Sequence, residues 1–443
     1  NILWSPRVGF NWDISGNKTL QVRGGTGVFT GRPAYVWISN QVGNNGILTG
    51  FERLYNTNAL PINPEPEANK TTTVTGTPAA NYELALTEEN VKFPQVWRTN
   101  VAVDKQVKGF VFTGEFIFNQ DVNGIAYYNA NLAPANGAFT GPHARPRWIG
   151  GNAATRINGK IDNAVTLSNQ AVGNSWVASF SVDFPTVSGF SGKAAYSYGE
   201  AKNTVDPGSI AFGSWNNNPH SGDPNNPTLG FSSNFAGHRV FTALAYEIDL
   251  LTIGKTNVSL FWEGRTIGNG SYVYGGDFNG DGGFSNDLIY IHKNTSEMNF
   301  EQFSSSGVTF TPQQQAAAWE AFIQQDKYLS ANRGRIAERG AVIMPMVFRA
   351  DFSASQQLIT KKDGQFLEFR VDILNVGNLL NSDWGVGQAF TSTSPLVPRG
   401  VDANGAPIFR LRNFGPNLIE SSFQNTVNSA DVWRLQFGLR YTF

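Results

Sequence analysis

The chain has 443 residues, of which 15% are charged and 13% are aromatic, and its formal net charge is −1. A charge so close to zero argues against nucleic acid as a partner. The absence of cysteine excludes disulfide frameworks, thiolate metal sites and cysteine nucleophiles. No apolar run approaches the ~20 residues that a membrane-spanning helix requires, which excludes helical insertion into a membrane.

Apolar and polar residues alternate with a period of two in many segments, as they do in strands that have one apolar face. In VWRLQFGLRYTF, at 432–443, every second residue is a bulky apolar one. Gly is also abundant, at 47 residues, which favours many turns. We therefore predict about eleven strands, at residues 3–13, 19–30, 95–105, 110–121, 174–184, 190–200, 237–250, 256–267, 345–359, 365–377 and 431–443.

The connections between these strands alternate in length. Short turns rich in Gly, Asn, Asp, Lys or Pro are predicted at 14–18, 106–109, 185–189, 251–255 and 360–364. Long connections fill 31–94, 122–173, 201–236, 268–344 and 378–430. Short turns at one end and long loops at the other are typical of a bacterial outer-membrane barrel with its long loops outside the cell. A soluble β-sandwich has no reason to sort its loops in this way.

The two faces of such strands meet different surroundings. The outward face contacts hydrocarbon and is apolar, whereas the inward face meets water or a plug and accepts charge. The alternation assigns these charged residues to the lumen, as solvated wall residues, as ion pairs or as contacts to a plug: Arg98, Asp104, Glu115, Arg349, Glu368, Arg370, Arg434 and Arg440. Aromatic residues near strand ends suit the two interfacial girdles: Trp4, Trp12, Trp97, Tyr198, Trp433 and Tyr441.

The odd strand number indicates that a part of the barrel lies outside this chain. Single-chain bacterial barrels have even strand numbers, and an open sheet would leave two unpaired edges in lipid. The chain also begins at Asn1 without an initiator Met or a signal peptide, so we expect an N-terminal part to be removed or missing. An equal number of strands upstream would make about 22. The expected fold class is all-β, a transmembrane antiparallel β-barrel in which residues 1–443 form the C-terminal half.

Several stretches carry a family resemblance. SPRVGFNWDISGNKTLQVRGGTGVFTGRPAYVWISNQ (5–41) resembles the Oar-like branch of the TonB-dependent outer-membrane receptors, and GDFNGDGGFSNDLIYI (276–291) is similar to the same branch. FRVDILNVGNLLNSDWG (369–385) resembles a late-strand segment of the receptor family. The final RLQFGLRYTF, ending at Phe443, resembles the C-terminal signal that the barrel-assembly machinery reads.

The resemblance implies a transporter of the bacterial outer membrane, with extracellular loops and a periplasmic C-terminus. Its loops would bind a bulky ligand (peptide, protein or glycan) that passes a plug moved by the TonB–ExbB–ExbD system. The implied partners are the N-terminal barrel half and plug, the barrel-assembly machinery, outer-membrane lipid, lipopolysaccharide and a surface lipoprotein. The alternative is an adhesin or scaffold barrel without transport. No catalytic motif is present in the sequence, so neither an enzyme nor a required cofactor is expected.

One loop has the oxygen spacing of a calcium site. In YGGDFNGDGGFSNDL, Asp277, Asn279 and Asp281 occupy alternate positions before Gly282, and Asp287 follows where a calcium loop would have a glutamate one place later. Oxygens at this spacing can converge on one hard cation. Two interpretations stay open: a structural Ca²⁺ site formed by Asp277, Asn279, Asp281 and Asp287, or an Asp/Asn/Gly turn in an extracellular loop.

Three further features concern the long loops. Residues 311–334 are predicted to form the one clear helix, with Thr311 as N-cap and Trp319, Phe322 and Ile323 on one face, packed over the barrel mouth or serving as a lid or partner surface. HARPRW, at 143–148, is either an anion-binding or lipopolysaccharide-binding patch or a solvated loop. The four histidines show no ligand spacing.

Overall fold

The computed structural model of the protein describes residues 2–45, 63–69, 82–251, 254–359 and 365–443. Its main sheet contains eleven long strands, each hydrogen-bonded to its neighbours in chain order. All pairs between them are antiparallel. These wall strands are β1 (Arg7–Asp13), β2 (Leu20–Thr30), β3 (Gln95–Val107), β4 (Phe110–Asn129), β5 (Asn174–Val187), β6 (Phe190–Asn203), β7 (Gly237–Leu251), β8 (Gly254–Thr266), β9 (Met346–Ile359), β10 (Phe366–Leu374) and β11 (Arg434–Thr442).

The eleven predicted strands are therefore confirmed, with corrections at their ends. The strand predicted for 365–377 ends at Leu374, because Asn375 adopts a left-handed conformation with φ 52° and a short helix follows it. Asn is one of the residues that tolerates this conformation. The strand predicted for 110–121 continues to Asn129, since its second half pairs with a strand at Ile161–Gln170.

The predicted alternation of short and long connections is also confirmed where the structure describes it. Two turns contain only two residues each, Lys108–Gly109 and Ser188–Gly189, and all four residues have positive φ. Positive φ at both positions gives a twist that matches the flanking strands of a hairpin. The turn predicted for 360–364 and part of that predicted for 251–255 lie outside the described residues.

The long connections contain short elements. The α-helices are α1 (Tyr35–Gly43), α2 (Asn152–Thr155), α3 (Ala211–Asn216), α4 (Pro312–Gln325), α5 (Lys327–Ala331) and α6 (Val376–Leu380), and the 3₁₀ turns are Pro66–Asn69, Gly141–His143 and Thr295–Glu297. The short strands are Tyr82–Thr87, Gly137–Ala138, Pro146–Arg147, Ile161–Gln170, Gly230–Phe231, Asn269–Gly270, Tyr290–Ile291, Phe303–Ser305, Val308–Phe310, Arg335–Ile336, Val342–Ile343, Gln388–Phe390, Leu396–Val401, Pro407–Leu411, Asn413–Phe414, Asn417–Leu418 and Phe423–Asn425. None of the described helices is long and apolar enough to cross a membrane.

The apolar face of the wall carries large side chains that are exposed in the part of the chain that the structure describes. Phe437 is 65% exposed and Phe369 is 46% exposed, although their rings contact each other across β10 and β11 at 6.2 Å. Phe180, in the middle of β5, is 53% exposed. Large side chains that alternate regularly and stay exposed are what a hydrocarbon-facing wall requires.

The opposite face of the wall carries ion pairs. Arg23 Nε lies 2.9 Å from Asp104 Oδ2, and Arg23 Nη1 lies 3.7 Å from Glu115. Arg349 pairs with Asp431 at 3.0 Å. Glu368 and Arg440, both assigned to the lumen from sequence, are direct cross-strand neighbours. Among the predicted luminal charges, Asp104 and Glu115 are therefore neutralised by Arg23 within the wall, and Arg349 is neutralised by Asp431, which precedes β11.

The sheet has two unpaired edges among the described residues. In the strand order of the main sheet, β1 pairs only with β2, and β11 pairs only with β10. The outer strands of the sheet thus present backbone N–H and C=O groups without a strand partner.

The orientation of the wall leads to a first prediction. Phe180→Arg places a charge on the exposed apolar face, and we expect it to lower the free energy of unfolding in lipid by about 2–4 kcal/mol. The measurement is urea unfolding of the full-length protein in phospholipid vesicles. Ser181→Arg, one residue along on the opposite face, is the matched control and should cost little. Equal losses in the two variants would show that Phe180 does not face lipid.

Candidate functional site

The largest buried core lies in the long connections. It is built mainly from 268–344 and 378–430, with Phe139 contributed by the connection after β4. We call this set of residues the loop core: Phe139, Tyr272, Val273, Tyr274, Phe278, Leu288, Ile289, Ile291, Phe300, Trp319, Phe322, Ile323, Leu329, Ala337, Val342, Leu396, Phe409, Leu411 and Ile419. Because they share a core, the connections form a packed body.

The predicted helix at 311–334 is two helices, which corrects the sequence assignment. Thr311 caps α4 in a reciprocal capping box with Gln314, as the N-cap prediction required. The helix then ends at Gln325, because Asp326 is extended and caps α5 with its own side chain. Trp319, Phe322 and Ile323 are fully buried, which confirms the predicted apolar face and places it in the loop core.

Asp326 joins this helix pair to distant parts of the loop core. One carboxylate oxygen accepts the backbone N–H groups of Tyr328 and Leu329, both at 2.9 Å. The other accepts the hydroxyl groups of Tyr272 at 2.8 Å and of Ser422 at 2.6 Å. Burial raises the pKa of Tyr272, and the negative charge of Asp326 raises it further, so this hydroxyl remains a donor at physiological pH. Residues from three places along the chain thus meet at one carboxylate.

Removing this carboxylate gives a second prediction. Asp326→Ala leaves the buried hydroxyls of Tyr272 and Ser422 without their acceptor and removes the cap of α5. We expect the free energy of local unfolding of the loop core to fall by about 2–3 kcal/mol, measured by hydrogen exchange of residues 311–331. Asp383→Ala, at an exposed loop carboxylate, is the control and should leave exchange unchanged. Slow exchange retained in Asp326→Ala would contradict the assignment.

HARPRW is not a solvated loop, which corrects one of the two sequence interpretations, whereas the binding of an anion or of lipopolysaccharide there stays a prediction. His143, Arg145 and Trp148 are buried. The Arg145 guanidinium donates from Nη1 to the carbonyl oxygen of Leu288 at 2.7 Å and lies over the ring of Phe278 at 5.2 Å. Surroundings that include residues more than a hundred positions away remove these three side chains from water, whereas Ala144 and Pro146 between them stay exposed.

Two of the four histidines meet inside the loop core. The rings of His143 and His292 are 5.1 Å apart, and His292 Nδ1 accepts the indole N–H of Trp319 at 3.0 Å. Burial lowers the pKa of His292 to about 4. Burial also lowers the pKa of His143 to about 2, with contributions from His292 and Arg145. Both imidazoles are therefore neutral in the folded protein at neutral pH.

This pair predicts that the loop core weakens in mild acid. Below pH ~6.5 the unfolded chain takes up a proton that folded His292 refuses, so stability falls by about 1.4 kcal/mol per pH unit until the pH reaches the folded pKa. Between pH 7 and pH 5 we expect His292 to account for a loss of about 2 kcal/mol in the free energy of local unfolding, measured by hydrogen exchange.

The variant for this test is His292→Gln, whose side-chain oxygen can still accept from Trp319. It should show a smaller loss between the two pH values than the wild type. His238→Gln, at an exposed wall histidine that bonds to Tyr196, is the control and should behave like the wild type. An unchanged pH dependence in His292→Gln would rule out this assignment.

The structure separates the four predicted calcium ligands into two pairs. Asp277 accepts the backbone N–H groups of Gly280 at 2.7 Å and Gly282 at 3.0 Å, and Asn279 accepts that of Asp281 at 3.0 Å. These two side chains therefore hold the turn. The other two, Asp281 and Asp287, are buried and come together; the assignment of calcium to the four residues stays a prediction.

His220 joins the second pair. One ligand atom each from His220, Asp281 and Asp287 falls within 4.8 Å of the others, and His220 Nε2 lies 3.3 Å from Asp281 Oδ2. The backbone positions them, since His220 donates to the carbonyl of Asn286 and Leu288 donates to the carbonyl of His220. Burial raises the pKa of Asp287. Sequence spacing missed His220 because it lies about sixty positions from its partners.

Comparison with known proteins agrees with this architecture. The family model of the outer membrane beta barrel domain matches residues 2–394. The chain belongs to this family. Membership in the outer membrane beta barrel domain family places the protein in an outer membrane and accounts for the exposed apolar face of the wall. No curated protein matches the chain.

The chain is similar to several solved structures, each with a TM-score below 0.5. The outer membrane transporter YddB from Escherichia coli has a TM-score of 0.46 and 10% identity, over 91% of this chain and 39% of that one. The FrpB iron transporter from Neisseria meningitidis has a TM-score of 0.39 and 10% identity, over 84% of this chain and 35% of that one. The ferric enterobactin receptor from Pseudomonas aeruginosa has a TM-score of 0.38 and 8% identity, over 99% of this chain and 39% of that one. The chain thus spans about two fifths or less of the length of these structures.

Proposed function

We propose that this chain is the C-terminal half of a TonB-dependent outer-membrane transporter. The observation that carries the proposal is the wall with its two unpaired edges. In lipid, every backbone polar group needs a partner, and each group left without one costs several kcal/mol. Family membership makes lipid the surroundings of this wall, so the free edges of β1 and β11 require further strands. About eleven strands from a preceding segment or a separate chain would complete a barrel of about 22.

The packed connections are the proposed ligand-binding part. They extend from the end of the wall opposite the two-residue hairpins, which in outer-membrane barrels is the extracellular end. A peptide, protein or glycan is the proposed ligand, on the basis of the resemblance to the Oar-like branch. A body held by a common core offers a broad preformed surface, which suits a bulky ligand better than a small chelate.

The remaining partners follow from the same proposal. A plug and a TonB box would lie in the preceding segment, and the TonB–ExbB–ExbD system would act on them from the periplasmic side. The C-terminal strand β11, with its row of exposed apolar residues, would be read by the barrel-assembly machinery. The role is one of binding and transport, without catalysis.

A scaffold or adhesin is the second candidate. The observation that favours it is that the connections 268–344 and 378–430 form one packed body, with large apolar side chains such as Phe284 and Trp384 exposed in them. Exposed apolar residues on a preformed surface are common where another protein docks. Such a barrel would bind a partner at the cell surface without moving a ligand across the membrane.

Uptake experiments separate the two candidates. Cells that carry the full-length gene and cells that lack it would be given fluorescent peptides and glycans, with and without a protonophore. Transport predicts accumulation in the periplasm that requires the gene and is lost when the proton-motive force collapses. Surface binding that persists with the protonophore, with no accumulation in either strain, would contradict transport and favour the scaffold.

A further inference from the structure

In the described connections, one cluster of five buried side chains carries polar atoms that have no hydrogen-bond partner. The residues come from three connections, and none is more than 4% exposed. Leaving one such atom unpaired costs about 1–3 kcal/mol, so a cluster of them indicates a bound group. The atoms are Arg145 Nε and Nη2, His220 Nε2, Asp281 Oδ2, Asn286 Oδ1 and Nδ2, and Asp287 Oδ1.

The acceptor oxygens of this cluster point to one place. Asp281 and Asp287 each bring a carboxylate oxygen within 4.8 Å of the other and of His220. The amide group of Asn286 lies on the side of Gly283 that also faces Asp281. A Cβ atom at Gly283 would lie 2.4 Å from Asn286 Nδ2 and 2.8 Å from Asp281 Oδ1. Only glycine therefore leaves room for these two side chains to approach each other.

His220 faces Asp281 without forming a hydrogen bond to it. Its Nδ1 accepts the backbone N–H of Gly222 at 3.2 Å, which leaves the proton of the neutral ring on Nε2. That nitrogen lies 3.3 Å from Asp281 Oδ2. A nitrogen that carries a proton does not ligate a metal, so the donor set left for a cation consists of oxygens. Oxygen ligands select hard cations such as Ca²⁺, whereas zinc prefers sites that include nitrogen or sulfur.

The charges of the cluster favour a cation as well. Two carboxylates are buried here, and among the described residues no Lys or Arg forms an ion pair with either of them. The positive charge of Arg145 acts on Asp287 from nearby, but its Nη1 hydrogen is donated to the carbonyl of Leu288 and no guanidinium hydrogen bond reaches either carboxylate. Burying carboxylates without a paired charge is costly, and a divalent cation bound between them would compensate both.

We propose that Asp281, Asp287 and Asn286 bind one Ca²⁺ ion inside the loop body, and that His220 is a positioning residue that orients Asp281. Calcium takes six to eight oxygen ligands, so backbone carbonyls or water would complete its shell. Asp281 and Asp287 each use one carboxylate oxygen to accept a backbone N–H, from Gly283 and Phe278, and each keeps one oxygen without a partner. In Asp277 and Asn279 every side-chain oxygen accepts a turn N–H, so these two are left out of the ligand set. The ion would fasten the connection 201–236 to 268–344, independently of what the protein transports.

The test uses the full-length protein purified from outer membranes in detergent and stripped with a chelator. Calorimetric titration with CaCl₂ should show one site per chain, and Ca²⁺ should raise Tm and slow hydrogen exchange at residues 276–291. In Asp287→Asn, which keeps the side-chain shape, we expect at least a tenfold loss of affinity and no rise in Tm. Asp383→Asn, at an exposed loop carboxylate, should bind like the wild type.

Titration with zinc and the variant His220→Gln test whether the site prefers zinc to calcium. His220→Gln should retain calcium binding, with a loss smaller than that of Asp287→Asn. If the wild type bound ZnCl₂ more tightly than CaCl₂ and His220→Gln no longer bound zinc, the assignment of an oxygen-only ligand set would be wrong. Absence of calcium binding by the stripped wild-type protein would overturn the proposal even if the variants failed to fold, as would undiminished binding in a folded Asp287→Asn.

Discussion

The structure depends on one constraint: a wall in hydrocarbon must pair its backbone polar groups within the sheet and expose apolar side chains outward. The wall of β1–β11 meets both demands along its length, with antiparallel ladders between all neighbours and a row of exposed apolar residues that includes Phe180, Phe369 and Phe437. The opposite face is then free to carry charge, and the pairing of Arg23 with Asp104 and Glu115 shows how that charge is balanced. Among the described wall strands, the outer edges of β1 and β11 leave the demand unmet.

The same constraint explains where the core lies. A wall that turns its apolar side chains toward lipid cannot bury them inside, so the hydrophobic core of the protein is built in the long connections. Those segments have few long helices or strands to pair their backbone N–H and C=O groups. Polar side chains form hydrogen bonds with these groups instead. Gln315 shows the principle, since it donates to the carbonyl of Glu301 and accepts the N–H of Leu411, and Asp326 gathers four donors. Polar side chains thus hold the loop core together from within.

This construction gives the connections a definite shape. The neutral pair of His143 and His292, the buried guanidinium of Arg145 and the cluster at Asp281 and Asp287 lie in or beside the same body. Each is a polar group enclosed by aromatic or aliphatic neighbours. The stability of the surrounding fold therefore depends on the protonation state of the group or on what it binds. These enclosed groups stabilise the exposed surface of the connections, and this holds both for a surface that binds a ligand and for one that binds a partner protein.

The wall was predictable because alternation along a strand is a local property: Leu367, Phe369 and Val371 share a face whatever the rest of the chain does. Caps are local too, so Thr311 marked the start of α4, and Asp326 before Lys327 carried a readable signal for a second helix. The loop body was a different matter. His220 meets Asp281 and Asp287 across about sixty residues, and the buried side chains of HARPRW contact residues more than a hundred positions away. The strands, their faces and the alternation of short and long turns could be assigned from local residue patterns alone. Which polar residues lie together could not, because that depends on how connections distant in the chain pack against each other.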